Sequence, residues 1–475
     1  MPMERNGEGR VQRPRERGSG KRTRRALFAD AAAAWATISV VPAQVVAAPG
    51  RVTPNSRPAL AGVGVGGVGF PQLQDCERVG FDVVALCDVD DEYAKKAYDR
   101  WPKARRYRDF REMLATEGDK IDAVHCATPD HTHAIVTLAA LRAGKHVCCV
   151  KPLTRSIQEC RAVVEAARKA GVATQVTASP NTSEEACRTC EFIQAGVIGP
   201  VREVHIWTER PWWPQGMTRP AGEDPKRATL DWDLWLGPAP KRSFKGDWPD
   251  GHYALQQIQA FRGGAPISKA VYHPFNFRGW WDFGTGALGD MGCHYLNTPF
   301  RALNLKSPTS VEASSTRVFD ETPPLASIVT LEFPARGDMP PVTVVWYDGG
   351  LKPPAPQELE GVPLPAEGTL YIGDEGKMLG ARVLPGKRAK DPDSVPKTLQ
   401  RRGDTFAEWM EAIRGGQPAG CNFDWAGPLT EAVLLGNVAI RAGKRIEWDP
   451  AEVRIKGNAE ATKLLTVDYQ NGWSL

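Results

Sequence analysis

The stretch PALAGVGVGGVGF (residues 58–70) narrows the choice of fold more than any other part of the chain. An apolar run ends in Gly64-x-Gly66-x-x-Gly69, and a segment of helical character follows. A second apolar run, FDVVALCDVD, ends near Asp88, nineteen residues past Gly69. Strand, glycine turn, helix, strand and acid in that order give a GxGxxG its mechanical meaning. The glycines let the backbone approach a pyrophosphate, and the free N–H groups of the helix's first turn favour the anion. Asp88 is placed to accept hydrogen bonds from the adenosine ribose hydroxyls, and its charge repels a phosphate there. The pattern predicts NAD in preference to NADP.

The alternation continues through helix YRDFREMLAT, strand IDAVHCATP, helix THAIVTLAALRAG, strand HVCCV, helix SIQECRAVVEAARKAG and strand VATQVT. Such alternation implies right-handed crossovers and a doubly wound parallel sheet. From about residue 200 the pattern becomes VREVHIWTER, SVEASSTRVF, ASIVTLEFP, VTVVWYD and GTLYIGDEG, strands separated mainly by turns, so a mostly antiparallel sheet is expected. Helices return at LGDMGCHYLNTPFRAL, TFAEWMEAIRGG and LTEAVLLGNVAIRAG. The expected fold class is α/β: an N-terminal Rossmann domain (58–176), then a C-terminal α+β domain with a large open sheet (177–475). A segment of 1–47 and a linker of 48–57 precede them.

The chain has 475 residues and a formal charge of +4. Residues 1–47 contain nine Lys or Arg and four acids, which leaves the remainder at −1. No bulk cationic signal for nucleic acid survives that subtraction. Within this segment, TRRALFADAAAAWATISVV sets Arg24-Arg25 before an Ala-rich apolar stretch with a small-residue exit at VVAAP. It resembles a twin-arginine export signal, so a periplasmic or otherwise exported location is expected. The stretch is too short and interrupted to span a bilayer, and no stable membrane insertion is expected. Without a working signal the protein would be cytoplasmic.

In HVCCVKPLT the apolar strand ends at Lys151, where a buried ammonium is costly unless the site needs its charge or proton. Thr128-Pro129 closes the neighbouring strand, so both ends should face the dinucleotide crevice. In GALGDMGCHYLNT, Asp290 and His294 are four apart and share a helix face. A carboxylate beside an imidazole raises its basicity. The trio reads as His294 the base, Asp290 its orienter and Lys151 the group that positions a hydroxyl and shares its proton. Arg278 suits either a polar substrate group or a surface ion pair. Trp212-Trp213 and Trp280-Trp281 suit core packing, and Trp280 is also a candidate platform for a sugar ring. Cys148, Cys149, Cys187 and Cys190 read as core residues, His131 and His133 lack a partner cluster, and no metal site is expected.

The stretches GVGVGGVGF, ALCDVD, ATPDHTHA, AGKHVCCVKPLT, IGPVREVHIWTERPWWPQG, YHPFNFRGWWDFGTGALGDMGCHYLN and NFDWAGPLTEAVLLGNVAIR resemble the glucose–fructose oxidoreductase, inositol dehydrogenase and rhizopine-catabolism (Gfo/Idh/MocA) family. The resemblance implies an NAD(P)-dependent oxidoreductase acting on a hydroxyl of a sugar, cyclitol or sugar derivative, as a homo-oligomer. By it, Lys151 matches the lysine of a Glu-Lys-Pro motif, Asp290 and His294 an Asp-x-x-x-His pair, and Thr128, Pro129 and His133 the cofactor loop. Three departures stand out. Val150 replaces the motif's glutamate, VTASPNTS (176–183) replaces a Gly-Asn-Gln-Gly-His-like loop, and GDWPDGHYALQQIQAFRGGAPISKA (246–270) looks inserted. Two other functions compete: a glycoside hydrolase or lyase using transient oxidation, and a non-catalytic dinucleotide sensor. Little free NAD exists outside the cytoplasm, so an exported member is expected to hold its dinucleotide tightly.

Overall fold

The computed structural model describes residues 57–386 and 391–475. The export segment expected over 1–47, and the linker expected over 48–57 except Arg57, lie outside the described residues. Strands β1 (Ala59–Val63), β2 (Asp82–Cys87), β3 (Arg105–Tyr107), β4 (Ala123–Cys126), β5 (His146–Val150) and β6 (Thr174–Thr177) form a sheet in the order β3-β2-β1-β4-β5-β6. Each pairing is parallel. Strand order reverses between β1 and β4, where such sheets open a crevice at their C-terminal ends. Strands β4 and β5 are buried throughout. Helices cover both of their faces, which is why they read as mainly apolar runs, with His125 and His146 buried among them. The helix Ile157–Ala170 after β5 starts on a capping box between Ser156 and Glu159 and stops at Gly171 in the left-handed region.

The second sheet contains β7 (Val201–Trp207), β8 (Ser310–Ser315), β9 (Ser327–Phe333), β10 (Val342–Tyr347), β11 (Gly368–Gly373), β12 (Lys377–Leu379), β13 (Arg382–Val383), β14 (Ile446–Asp449) and β15 (Arg454–Ile455). Its order is β13-β12-β11-β7-β10-β9-β8-β14-β15. The β7–β10 pair is parallel and the other pairs are antiparallel. β9 and β10 alternate buried and half-buried residues, as strands covered on one face do. The covered face packs on helix Gly286–Tyr295 and on the long helix Phe423–Ala442. This is the α/β architecture the alternation implied. The stretch expected as one helix, LGDMGCHYLNTPFRAL, is divided at Leu296 into Gly286–Tyr295 and Asn297–Ala302. Pro299 has no N–H to give the Tyr295 carbonyl, so the first helix ends there.

Between β7 and helix Gly286–Tyr295 the chain builds a separate aromatic cluster from Trp232, Trp235, Trp248, Tyr272, Trp280 and Phe283. The stretch that looks inserted contributes helix Tyr253–Arg262 to it. All ten cysteines are free thiols and buried. Cys126 and Cys149 stand opposite each other in register across β4 and β5. Cys187 and Cys190 lie in the core face of helix Glu184–Gln194. Among the described residues no helix is long and apolar enough to cross a membrane.

Helix Thr405–Ile413 returns from the second sheet to the first domain, where the fully buried Trp409 stacks on Phe81 with ring centroids 4.9 Å apart. Trp409→Ala should therefore lower the free energy of unfolding by about 3–5 kcal/mol, read from the midpoint of a denaturant titration.

Candidate active site

A cavity of about 550 Å³ opens at the C-terminal ends of β1, β2, β4 and β5. Gly64, Gly66, Asp88, Thr128, Pro129, Val150 and Lys151 line it from the Rossmann side. Trp235, Ile267, His273, Phe275 and Arg278 line it from the C-terminal side, with Trp473 closing one flank.

The glycine loop is built as its motif requires. Gly64 has φ +76°, and a Cβ there would lie 2.6 Å from the Ala127 carbonyl oxygen. A Cβ on Gly66 would lie 2.2 Å from the Tyr93 ring, which rests on the loop. Gly69 lies outside the cavity lining; a Cβ on it would collide with the Gly64 carbonyl, so it serves helix packing. Asp88 accepts N–H bonds from Val65 (2.9 Å), Gly66 (3.1 Å) and Asp90 (3.0 Å). Burial raises its pKa, and those amides together with His273 work against the rise. Its carboxylate faces the cavity with acceptor capacity left for hydroxyl donors. This donor and acceptor set fits a dinucleotide, with the pyrophosphate on the loop and a ribose at Asp88.

A roof covers that end. The main chain of the C-terminal part is stitched to the turn after β2 by Asp231 N donating to the Val89 carbonyl (2.8 Å) and Asp91 N to the Thr229 carbonyl (3.0 Å). Asp90, fully buried, lies 3.2 Å from His273 Nε2 and 3.4 Å from Arg227 Nη2. The His273 ring stands edge-on to Tyr93 at 5.0 Å. Tyr93, His273, Phe275 and Trp473 are site residues that sequence reasoning missed. The apparent insertion at 246–270 was the one signal pointing to this roof.

At the other end, Lys151 Nζ and Arg278 Nε both donate to Asp290 Oδ1, the latter at 2.9 Å. Lys151 comes from the end of β5 and Asp290 from helix Gly286–Tyr295, so this contact joins the two domains. Burial alone would raise the Asp290 pKa, but Lys151 and then Arg278 outweigh it and hold the carboxyl well below the usual range. Arg278 is no surface ion pair: it lines the cavity, and its Nη1 donates to the Phe275 carbonyl at 3.1 Å. The helix itself is anchored by Thr285, whose hydroxyl donates to Asp130 at 2.7 Å and whose carbonyl accepts from Asn437 at 2.8 Å.

His294 corrects the expected imidazole–carboxylate couple. It shares a helix with Asp290, yet Asp290 is engaged by Lys151 and Arg278. The Nδ1 of His294 instead accepts from the Ser179 main-chain N–H at 2.9 Å, with Ser179 Oγ at 3.0 Å. Desolvation and the nearby Lys151 ammonium push its pKa down to about 3, against the opposing effect of Asp290. The expectation of raised basicity fails because the cationic neighbours and the burial outweigh the one carboxylate.

Two other expected site residues lie elsewhere. Trp280 is fully buried in the aromatic cluster, and its Nε1 donates to the Val271 carbonyl at 2.9 Å, so it offers no face to a sugar. His133 does not line the cavity. Its ring bridges the Pro152 carbonyl (2.7 Å) and the Thr128 carbonyl (2.8 Å), tying together the two loops that do. Among the described residues no group of three or more His, Cys, Asp or Glu comes together to hold a metal ion.

Comparison with known proteins bears on the family and the fold. Residues 59–178 match the Gfo/Idh/MocA model described as an oxidoreductase family, NAD-binding Rossmann fold, and residues 257–322 match the family's C-terminal alpha/beta domain. An uncharacterized oxidoreductase of Rhizobium meliloti is 28% identical over 215 residues, 42% of this chain and 59% of the relative. Inositol 2-dehydrogenase of Klebsiella pneumoniae is 36% identical over 116 residues, 24% of this chain and 34% of that enzyme. The chain thus spans less than two thirds of these relatives. The WlbA dehydrogenase of Bordetella pertussis, solved with NADH and UDP-GlcNAcA, has a TM-score of 0.55 at 17% identity, over 83% of this chain and 99% of that one. GenD2 from gentamicin A biosynthesis, solved with NAD, gives 0.53 at 18% identity over 85% and 99%. At these identities the likeness concerns the fold.

Replacing Asp88 by Ala removes an acceptor of charge-assisted hydrogen bonds worth roughly 1.5–3 kcal/mol each. The Kd for NADH should rise about tenfold or more, measured by titrating nicotinamide fluorescence.

Proposed function

We propose that the chain is a member of the Gfo/Idh/MocA oxidoreductase family and that it transfers hydride between NAD and a carbon-bound hydroxyl of a sugar, cyclitol or sugar derivative. The observation that carries this reading is the meeting of Lys151, Arg278 and Asp290, drawn from both domains, at the edge of the dinucleotide cavity. Bound NAD would supply the hydride acceptor. Gly64, Gly66 and Asp88 would hold its pyrophosphate and ribose, and Thr128, Pro129 and Lys151 would flank the nicotinamide. Lys151, which lines the cavity, would stand beside the substrate oxygen, with His294 one helical turn beyond Asp290, where a proton must leave as hydride leaves the carbon. Asp290 keeps the lysine aimed and compensates its charge in a desolvated cleft. Val150, at the position where the resembled Glu-Lys-Pro motif has its glutamate, adds only an apolar wall.

The reading extends to a dinucleotide that stays bound between turnovers. The roof formed by Trp235, His273, Phe275 and Trp473 supports it, because release then requires part of the C-terminal domain to lift. The Arg24-Arg25 segment supports the further reading that the protein is exported already folded around its cofactor. A second copy covering the outer face of the nine-stranded sheet completes the proposal.

Incubation with candidate sugars, following both nicotinamide absorbance and product, tests the chemistry. Net redox change is the expected outcome. Bond cleavage without it would favour transient oxidation, and neither would leave a sensor. Lys151→Ala should lower turnover by about 10²–10⁴-fold with dinucleotide binding retained. Heat-denatured purified protein should release close to one nicotinamide dinucleotide per chain, quantified by chromatography; a fully active, cofactor-free preparation would refute retention.

A further inference from the structure

A second, smaller cavity of about 40 Å³ lies at the same domain boundary. Arg155 and Ser156 line it from the loop after β5, Trp281 and Thr285 from the chain entering helix Gly286–Tyr295, and Asn437 and Arg441 from helix Phe423–Ala442. Its walls hold donors without acceptors. Arg155 is 9% exposed, and its Nε–H is buried with no hydrogen-bond partner. The indole N–H of Trp281 is in the same state. Buried donors in folded proteins are nearly always paired, so two bare ones on one cavity call for an occupant.

Charge is out of balance there as well. Among the described residues neither Arg155 nor Arg441 forms an ion pair with a carboxylate. The neighbouring carboxylates are engaged elsewhere. Asp282 accepts from Arg242 Nη2, and Arg155 Nη1 reaches only the Asp282 main-chain carbonyl. Glu159 accepts from the main-chain N–H groups of Arg155 (3.1 Å) and Ser156 (2.9 Å) and from the Tyr469 hydroxyl (2.8 Å). Arg441 stands at 5.5 Å from the Trp281 ring centroid. Desolvation lowers its pKa; Asp282 opposes the fall and Arg155 adds to it. The first turn of helix Ile157–Ala170 brings the positive end of its dipole to the same cavity. A water would take the hydrogen bonds and leave two guanidiniums uncompensated, whereas an anion answers both needs. The volume exceeds the roughly 10–15 Å³ that one water requires and falls well short of the roughly 300 Å³ of a metabolite pocket.

We propose that this cavity takes one small monoanion of chloride's size, held by Arg155, the Trp281 indole N–H and Arg441, and that the ion braces the nucleotide-binding domain against the segment leading to Asp290. No residue of this cavity lines the dinucleotide cavity, so anion binding is independent of the chemistry proposed above.

The full protein, exchanged into sodium gluconate, is titrated with sodium chloride at constant ionic strength, and the thermal midpoint and the ³⁵Cl NMR line width are followed together. Gluconate is too large for the cavity. The expected result is a saturable rise in the midpoint of about 1–3 °C, with excess ³⁵Cl broadening that saturates in parallel. Trp281→Phe keeps the ring and removes the N–H, and Arg441→Met removes the outer charge. Each should raise the chloride Kd about tenfold or more. Both leave the Arg155–Asp282 contact intact, so the test does not hang on a variant that fails to fold. Equal midpoints and line widths in chloride and gluconate, as for a cavity filled by water, would overturn the proposal. So would variants that titrate like the wild type, or a saturable response to inorganic phosphate with none to chloride.

Discussion

The arrangement depends on one carboxylate receiving two cations across a domain boundary. Asp290 Oδ1 accepts from Lys151, at the end of a strand in the first domain, and from Arg278, in the loop before its own helix. The side chains of all three are largely shielded from water, with exposures of 12% for Asp290, 14% for Lys151 and 17% for Arg278. Charges so placed are tolerated because each has a partner and a hydrogen bond, and removing one leaves the others uncompensated. The contact therefore sets the distance between the nucleotide crevice and helix Gly286–Tyr295. Its register also decides what His294 can do, since a carboxylate held by two cations is not free to hold an imidazole.

Much of the fold could be read from local pattern. Parallel strands buried on both faces leave continuous apolar runs, and HVCCV and IDAVHC show them. The glycine turn and Asp88 declare the first crossover, because backbone sterics and charge act over a few residues there. The site was legible only in part. Lys151 and Asp290 converge as residue types and position suggested, and Arg278, read as either a substrate contact or a surface ion pair, joins them. The Asp290–His294 spacing of four residues placed both on one face, but said nothing of partners more than a hundred residues away in sequence. Ser179 and Lys151 are such partners, and they reverse the expected effect on His294. Trp280 failed for a related reason: two tryptophans beside a cleft look alike in sequence whether they face a ligand or an aromatic cluster.

The roof over the nucleotide crevice shows how a scaffold shared by many chemistries becomes particular. Its residues come from the region between β7 and helix Gly286–Tyr295, which also carries its own aromatic core of Trp232, Trp235, Trp248 and Phe283. That core gives the roof a rigid base, so His273 and Phe275 project from packed structure. Phe275 itself has φ +71°, a conformation disfavoured for a bulky side chain, and its carbonyl is held by Arg278. Backbone strain at the junction of roof and reacting groups persists because the packing around it is over-determined.

The burial of all ten thiols bears on where the chain can mature. An unfolded polypeptide with ten accessible sulfurs, placed among oxidants, would cross-link at random, and the facing sulfurs of β4 and β5 would be among the positions competing for wrong partners. Once the sheets and helices have closed, all ten of these cysteines are buried. A reducing medium during assembly, followed by any medium afterwards, is the history this interior tolerates.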